Sequence, residues 1–382
     1  MRDTRPERSG WRRLLRRGAL AAVLVLVAGA LFVRSGLYNV AASSDHWPFT
    51  TWLIDRVRVH SVDTWSSFVP APPSLDDADL LALGAAHFEG GCTPCHSRPG
   101  DPANAIAAAM LPPPPPLGTV VGSMDAKALF WIVKHGLKYT AMPAWPAQQR
   151  DDEVWAVTAF LVRLPELSPR AYRELAGMTR TGQAVQDGAE LATGSESVGL
   201  TECVRCHGDA ETGPLSGYVP VLNAQPRRYL ERALAEYADA QRPSGVMQPV
   251  ATLLTPAERR RLAAWYAGLA APREDRPDPA PGLVEEGRRL AREGEPGTGL
   301  PPCLACHARD HPESFPSLAG QNPEYLLGQL GLFRRGARDG TVHGQIMGVV
   351  ARRLGDRQAQ AAAAYFASLP AGGAPALAEI AP

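Results

Sequence analysis

Apolar positions recur along this chain in two patterns. From Ala19 to Val33 they form an unbroken run without one polar side chain, preceded by Arg2, Arg5, Arg8, Arg12, Arg13, Arg16 and Arg17 against only Asp3 and Glu7. That run is near the upper limit for the core of a signal peptide and short of the ~20 residues a spanning helix needs. Extension through Arg34 and "SGLYNVAA" supplies the missing length and makes residues 18–42 a membrane anchor; cleavage after Ala42, with Val40 and Ala42 small, makes them a signal segment. By the positive-inside rule the basic residues 1–17 stay in the cytoplasm and everything after about residue 42 lies outside it.

The second pattern is helical. Apolar residues at i, i+3, i+4 and i+7 occur three times: Val154, Val157, Leu161 with Thr158 as a weak member; Leu262, Trp265, Tyr266, Leu269; and Ala362, Tyr365, Phe366, Leu369. Each spacing predicts a helix with one buried stripe. "TPAE" at 255–258 combines an N-cap Thr, a Pro at the first helical position and a Glu three residues on, and "SLDD" at 74–77 is a weaker start of the same kind. Ahead of each stripe runs the same order of parts. It comprises a short Gly-containing helix ("LLALGAAHF", "DGAELATG", "EEGRRLARE"), a Cys/His pentapeptide, a proline-containing loop, a middle helix and a methionine. The expected architecture is all-α, with three tandem domains at 75–168, 183–271 and 282–370, a connector at 43–74 and a disordered tail at 371–382. "PVLNAQPRRYLERAL" from Pro220 aligns with "PSLAGQNPEYLLGQL" from Pro316, so the last two domains read as an internal duplication. "APREDRPDPAPG" before the third domain is a linker. "HWPFTTWLIDRVRVHSVDTW" in the connector fits either a helix lying on the membrane surface or one packed on the first domain.

The pentapeptides carry the chemistry. "CTPCH" at 92–96, "CVRCH" at 203–207 and "CLACH" at 303–307 use all six cysteines. A disulfide framework leaves the invariant His unexplained, and a thioredoxin-like motif needs a strand-to-helix setting that these helical surroundings lack. A local zinc site needs four ligands, yet no Cys or His stands between His207 and Cys303. Covalent haem attachment accounts for every member. Cys92 and Cys95, Cys203 and Cys206, and Cys303 and Cys306 form thioethers with the haem vinyl groups, while His96, His207 and His307 turn an imidazole to the iron. The cofactors expected are therefore three haem c groups.

Methionine completes the iron site. Met247 and Met347 stand at the same offset, 40 residues, from His207 and His307, and Met142 lies 46 beyond His96. A thioether opposite the imidazole raises the potential and closes the iron to outside ligands, which suits electron transfer. Met110, Met124, His135 and His343 are weaker ligand candidates, and His87 reads as an exposed helix residue.

These modules resemble class I cytochromes c. The last two are similar to tandem-domain cytochromes c of bacterial periplasms, through the "P-x-L-x-x-Q" turn, the Tyr-bearing middle helix and the Met segment. The first resembles mono-haem domains, through His135-Gly136, Met142 to Trp145 and Trp155. The resemblance implies a Gly/aromatic crossing of first and last helices: Gly84 with Trp155 or Phe160, Gly188 with Trp265 or Tyr266, Gly287 with Tyr365 or Phe366. It also implies a proline carbonyl accepting the proximal imidazole proton, from Pro220, Pro316 and one of Pro112 to Pro116. Tyr229, Tyr325 and Trp145 are then candidates to reach haem propionates.

A formal charge of zero gives no pull toward nucleic acid, and no nucleophilic or proton-transfer constellation is visible. The function expected is single-electron transfer in a respiratory chain, on the periplasmic face of the inner membrane, rather than enzyme catalysis. The partners expected are a dehydrogenase or quinol-oxidising complex as donor and a terminal oxidase or soluble cytochrome as acceptor. The alternative is the cytochrome subunit of a quinoprotein or flavoprotein dehydrogenase of alcohol or sugar-acid type; a haem enzyme or gas sensor requires an open iron.

Overall fold

The computed structural model describes residues 8–180, 199–270, 279–310, 313–376 and 379. The whole first-helix segment "DGAELATG" with Gly188, most of the linker before the third haem motif and the extreme N-terminus lie outside them. Among the described residues the regular structure is helical, with one isolated bridge between Glu295 and Leu300.

Helix α1 (Arg8–Ser35) begins inside the basic stretch and is exposed from Gly10 to Ser35. It stops at Gly36, whose φ of 69° leaves helical space, and so does not run on to residue 42. Its Gly10–Ser35 portion has a mean hydropathy of 2.1 and is long and apolar enough to cross a membrane. Helix α2 (Pro48–Ser66) follows, with Val62 and Ser66 buried against the first haem-motif region.

Around the first motif stand α3 (Ala78–Gly91), α4 (Thr93–His96), α5 (Ala126–His135), α6 (Asp151–Arg163) and α7 (Pro169–Leu175). The cap of α3 is Asp77, whose carboxylate accepts from the amides of Asp79 and Leu80, rather than Ser74. Helices α3 and α6 cross where a Cβ on Gly84 would run into the Ala156 carbonyl and come within 2.9 Å of the Phe160 Cβ. Phe160 is thus the aromatic at this crossing, and Trp155 packs instead on Phe130, ring centroids 4.3 Å apart.

Around the second motif lie α8 (Leu200–His207), α9 (Arg227–Ala238), α10 (Met247–Leu253) and α11 (Pro256–Gly268). Helix α11 opens with the full capping box: Thr255 Oγ1 accepts from the Glu258 amide at 3.3 Å, and the Glu258 carboxylate accepts from the Thr255 amide at 2.7 Å.

The third motif is surrounded by α12 (Pro281–Glu293), α13 (Leu304–His307), α14 (Pro323–Arg334), α15 (Val342–Arg353) and α16 (Asp356–Ser368). Helices α12 and α16 repeat the first crossing. A Cβ on Gly287 would meet the Ala361 carbonyl and approach the Tyr365 Cβ to 2.7 Å, which makes Tyr365 the aromatic here. The first part of the tail, residues 371–376, is packed rather than disordered: Ala374 is buried in this core, and the Pro375 carbonyl accepts from the Arg309 amide.

Candidate haem-attachment site

Each pentapeptide is wound into helix, which brings its first Cys and its His to one side. The His96 amide donates to the Cys92 carbonyl at 2.9 Å, and the His307 amide donates to the Cys303 carbonyl at 3.0 Å. All six cysteines are free thiols. Burial pushes the Cys92 thiol up to about 12, with Cys95 adding to the effect; it raises Cys203 to about 12 and Cys303 to about 11. At neutral pH these sulfurs carry their protons.

The three imidazoles share one arrangement. Nδ1 lies 3.4 Å from the Pro115 carbonyl in His96, 3.2 Å from the Pro220 carbonyl in His207 and 3.0 Å from the Pro316 carbonyl in His307. An Nδ1–H donated to these carbonyls leaves the Nε2 lone pair for a metal and fixes the ring plane. Burial lowers His207 to about 4, against the opposing pull of the Pro220 hydrogen bond, so the ring is neutral at physiological pH. Burial likewise lowers His96. Of the five consecutive prolines, Pro115 is the one that faces an imidazole.

The three methionines sit on different supports. Met142 is in a loop whose backbone is held to the end of α5, with the Leu137 amide donating to the Met142 carbonyl and the Trp145 amide to the Lys134 carbonyl. Gly136, at φ 64°, lets this loop pass close: a Cβ there would lie 2.6 Å from the Met142 carbonyl oxygen. Met247 opens α10, its amide donating to Ser244 Oγ at 3.0 Å. Met347 lies within α15.

A single continuous cavity of about 2540 Å³ is lined by all six cysteines, by His96, His207 and His307, and by Met142, Met247 and Met347. Divided among three motifs this is about 850 Å³ each, within the roughly 300–1,000 Å³ typical of cofactor pockets. Paired reduced thiols, an oriented imidazole and a thioether on the walls of a largely apolar space fit covalently held haem. Of the weaker candidates, Met110, Met124 and His343 also line the cavity, whereas His135 does not and instead lies beside the Trp131 ring.

Several polar groups at the site escape the sequence pattern. His87 is buried, not exposed, and burial together with Arg150 lowers it to about 3. Arg205, inside the second pentapeptide, donates to the carbonyls of Ala86 and Ala176 and so docks that motif on α3 and α7. Glu153 is buried between two methionine segments: its carboxylate accepts from Trp145 Nε1 at 3.1 Å, Ser244 Oγ at 2.6 Å and the Gly245 amide at 2.6 Å, and pairs with Arg150 at 2.8 Å. The Trp145 indole is therefore committed to Glu153. Tyr229 and Tyr325, equivalent in the duplication, meet on Arg242, at 3.4 and 3.1 Å. Burial opposes ionisation of Tyr229, but Arg242 and Arg338 outweigh it and lower the phenol to about 8. Such a cluster suits the carboxylates of a cofactor edge. A buried cation that donates to neutral hydroxyls gains further when an anion joins it.

Attachment motifs, oriented imidazoles and an all-α scaffold define a c-type cytochrome, and the chain belongs to that family. Residues 79–161 match the family described as cytochrome c oxidase, cbb3-type, subunit III. The chain is 37% identical over 172 residues to the thiosulfate dehydrogenase electron acceptor of Thiomonas intermedia, covering 44% of this chain and 78% of that one. It is 33% identical over 190 residues to the protein of the same name from Stutzerimonas stutzeri, covering 48% and 86%. With cytochrome c4 of Pseudomonas aeruginosa it shares 29% identity over 191 residues, covering 48% and 92%. Its relatives are electron carriers or acceptors, so its function is electron transfer through covalently held haem.

Proposed function

We propose that this chain is a membrane-tethered tri-haem cytochrome that relays single electrons from a periplasmic dehydrogenase into a respiratory chain. Three cytochrome c domains, at 75–168, 183–271 and 282–370, would each hold one haem through Cys92/Cys95, Cys203/Cys206 and Cys303/Cys306. The axial pairs would be His96–Met142, His207–Met247 and His307–Met347. The observation that carries this reading is the convergence of all twelve side chains on one cavity, with each imidazole oriented by a proline carbonyl.

Haem, once attached, supplies an iron that alternates between ferric and ferrous and so stores one electron. The protein's own groups do the rest. The imidazoles keep their orientation because their second nitrogen is occupied, which also raises their basicity. The methionine sulfurs would close the remaining iron position and favour the reduced state. Apolar walls keep water away, so that little solvent reorganises when charge moves. Arg242, between Tyr229 and Tyr325, would hold the negative charge of a haem propionate near the boundary of the second and third domains.

The donor proposed is a thiosulfate-oxidising dehydrogenase, because two relatives carry the name of its electron acceptor. This also favours the reading of the chain as a dehydrogenase's fixed cytochrome partner, with the dehydrogenase's substrate changed from an alcohol or sugar acid to a reduced sulfur compound. Stopped-flow mixing of the oxidised protein with thiosulfate and a thiosulfate dehydrogenase should reduce all three haems. Reduction no faster than by an unrelated alcohol dehydrogenase with its substrate would refute that donor.

A further inference from the structure

Helix α2 shows two faces. Ile54 and Ser61 are half-buried and Val62 and Ser66 are buried on the side that packs against α5. Opposite them, Phe49, Trp52, Leu53 and Val57 stand at i, i+3, i+4 and i+8, and are 69%, 55%, 43% and 60% exposed. Arg56 and His60 fall on the same stripe. Four large apolar side chains with a long basic one among them make a face that water does not favour.

The start of α2 is pinned beside the end of α1. The Trp47 ring lies 5.8 Å from Phe32, in the last turns of α1, and 5.1 Å from Tyr38, whose hydroxyl meets His46 Nδ1 at 2.6 Å. If α1 crosses the bilayer, Trp47 is at its outer boundary and α2 begins there. Tryptophan and tyrosine favour that depth, where the ring sits among acyl chains and the polar tip reaches water. Arg56 suits the same place, since its stem lies along apolar surface while its guanidinium reaches lipid phosphates.

We propose that α2 lies in the outer interface of the membrane, with Phe49, Trp52, Leu53 and Val57 inserted among the lipids. This rests on the reading of α1 as a retained anchor. The consequence is positional. Thr51, Ile54, Asp55 and Arg58 of α2 line the same cavity as the first Cys/His motif. With its outer face in lipid, α2 holds the first end of the cavity at the membrane surface, and the domain cannot swing freely on a tether.

The test uses the full-length holoprotein in liposomes containing anionic lipid, with a carbene-generating probe confined to the acyl region and label mapped by peptide sequencing. Val25 and Leu26 in α1 serve as internal reference. The expected result is label on α1 and, in α2, several-fold more on Phe49, Trp52, Leu53 and Val57 than on Asp55 or Arg58, which line the cavity. In the double variant Trp52→Glu/Val57→Glu, label on α2 should fall to background while α1 is unchanged. Label on α1 with none on α2 overturns this inference alone, whether water or another protein covers the face. Absence of label from both overturns the anchor reading and this inference with it.

Discussion

Replacing Gln321 by alanine should disturb the second haem site rather than the third. Gln321 Nε2 donates to the Val221 carbonyl at 2.5 Å, and Gln321 Oε1 accepts from the Val221 amide at 3.1 Å. Gln225 reciprocates, its Nε2 donating to the Ser317 carbonyl at 2.8 Å and its Oε1 accepting from the Ser317 amide at 3.1 Å. Each glutamine thus braces the residue that follows the other domain's proximal proline. Val221 is 4% exposed, so Gln321→Ala orphans two buried backbone groups at about 1–3 kcal/mol each, or about 2–4 kcal/mol after partial relaxation. Ser317 is half-buried, water replaces much of what is lost, and Gln225→Ala should cost about 1 kcal/mol. Guanidinium unfolding of the holoprotein, followed at the Soret band, measures the difference. Because Pro220 accepts from His207, the paramagnetically shifted His207 ring signals should move in Gln321→Ala while those of His307 stay. Equal costs for the two variants, or a shift confined to His307, would refute the crossed bracing.

Three further outcomes follow from particular contacts. Glu153→Gln keeps the shape but leaves Arg150 without its buried charge partner and cannot accept from all of Trp145, Ser244 and Gly245. It should cost about 3 kcal/mol and speed proteolysis at the boundary of the first two domains, read by limited trypsin digestion. His87 is held neutral with a folded value of about 3 against 6.5 for the unfolded chain, so between these values the unfolded state binds the extra proton. The stability conferred is complete above pH 6.5 and falls as pH drops towards 3, by about 1.4 kcal/mol per unit. His87→Leu should flatten that slope in denaturant titrations at pH 7 and pH 5; an unchanged slope contradicts the assignment. Gly287→Ala forces the crossing of α12 and α16 apart, because the added methyl meets the Ala361 backbone, and should cost at least about 1–3 kcal/mol by thermal unfolding.

How much of this was legible in the sequence depends on the range of the interaction. Local periodicity marked the last helices α6, α11 and α16, and local chemistry marked the Thr255–Glu258 capping box, because both involve neighbours one turn apart. The helical fold class was legible for the same reason. The start of α3 lies at Asp77 rather than Ser74, because it is the Asp77 carboxylate that reaches the first free amides of the helix. His87, Glu153 and Arg242 were misread or missed because their partners lie on other helices, and no periodicity announces a contact across a domain boundary. Arg205 did carry a signal: a large cation between two cysteines of an attachment motif needs an unusual partner, here the carbonyls of Ala86 and Ala176. The five prolines before Leu117 are equivalent as letters, and only the folded loop distinguishes Pro115.

The central claim is that three closed haems serve electron transfer. Its most direct test pairs a count of covalent haem by intact mass with carbon monoxide binding to the reduced, detergent-solubilised protein. The account predicts the mass of the chain plus three haems and no carbon monoxide uptake. Fewer than three haems, or rapid uptake at any one of them, would contradict it.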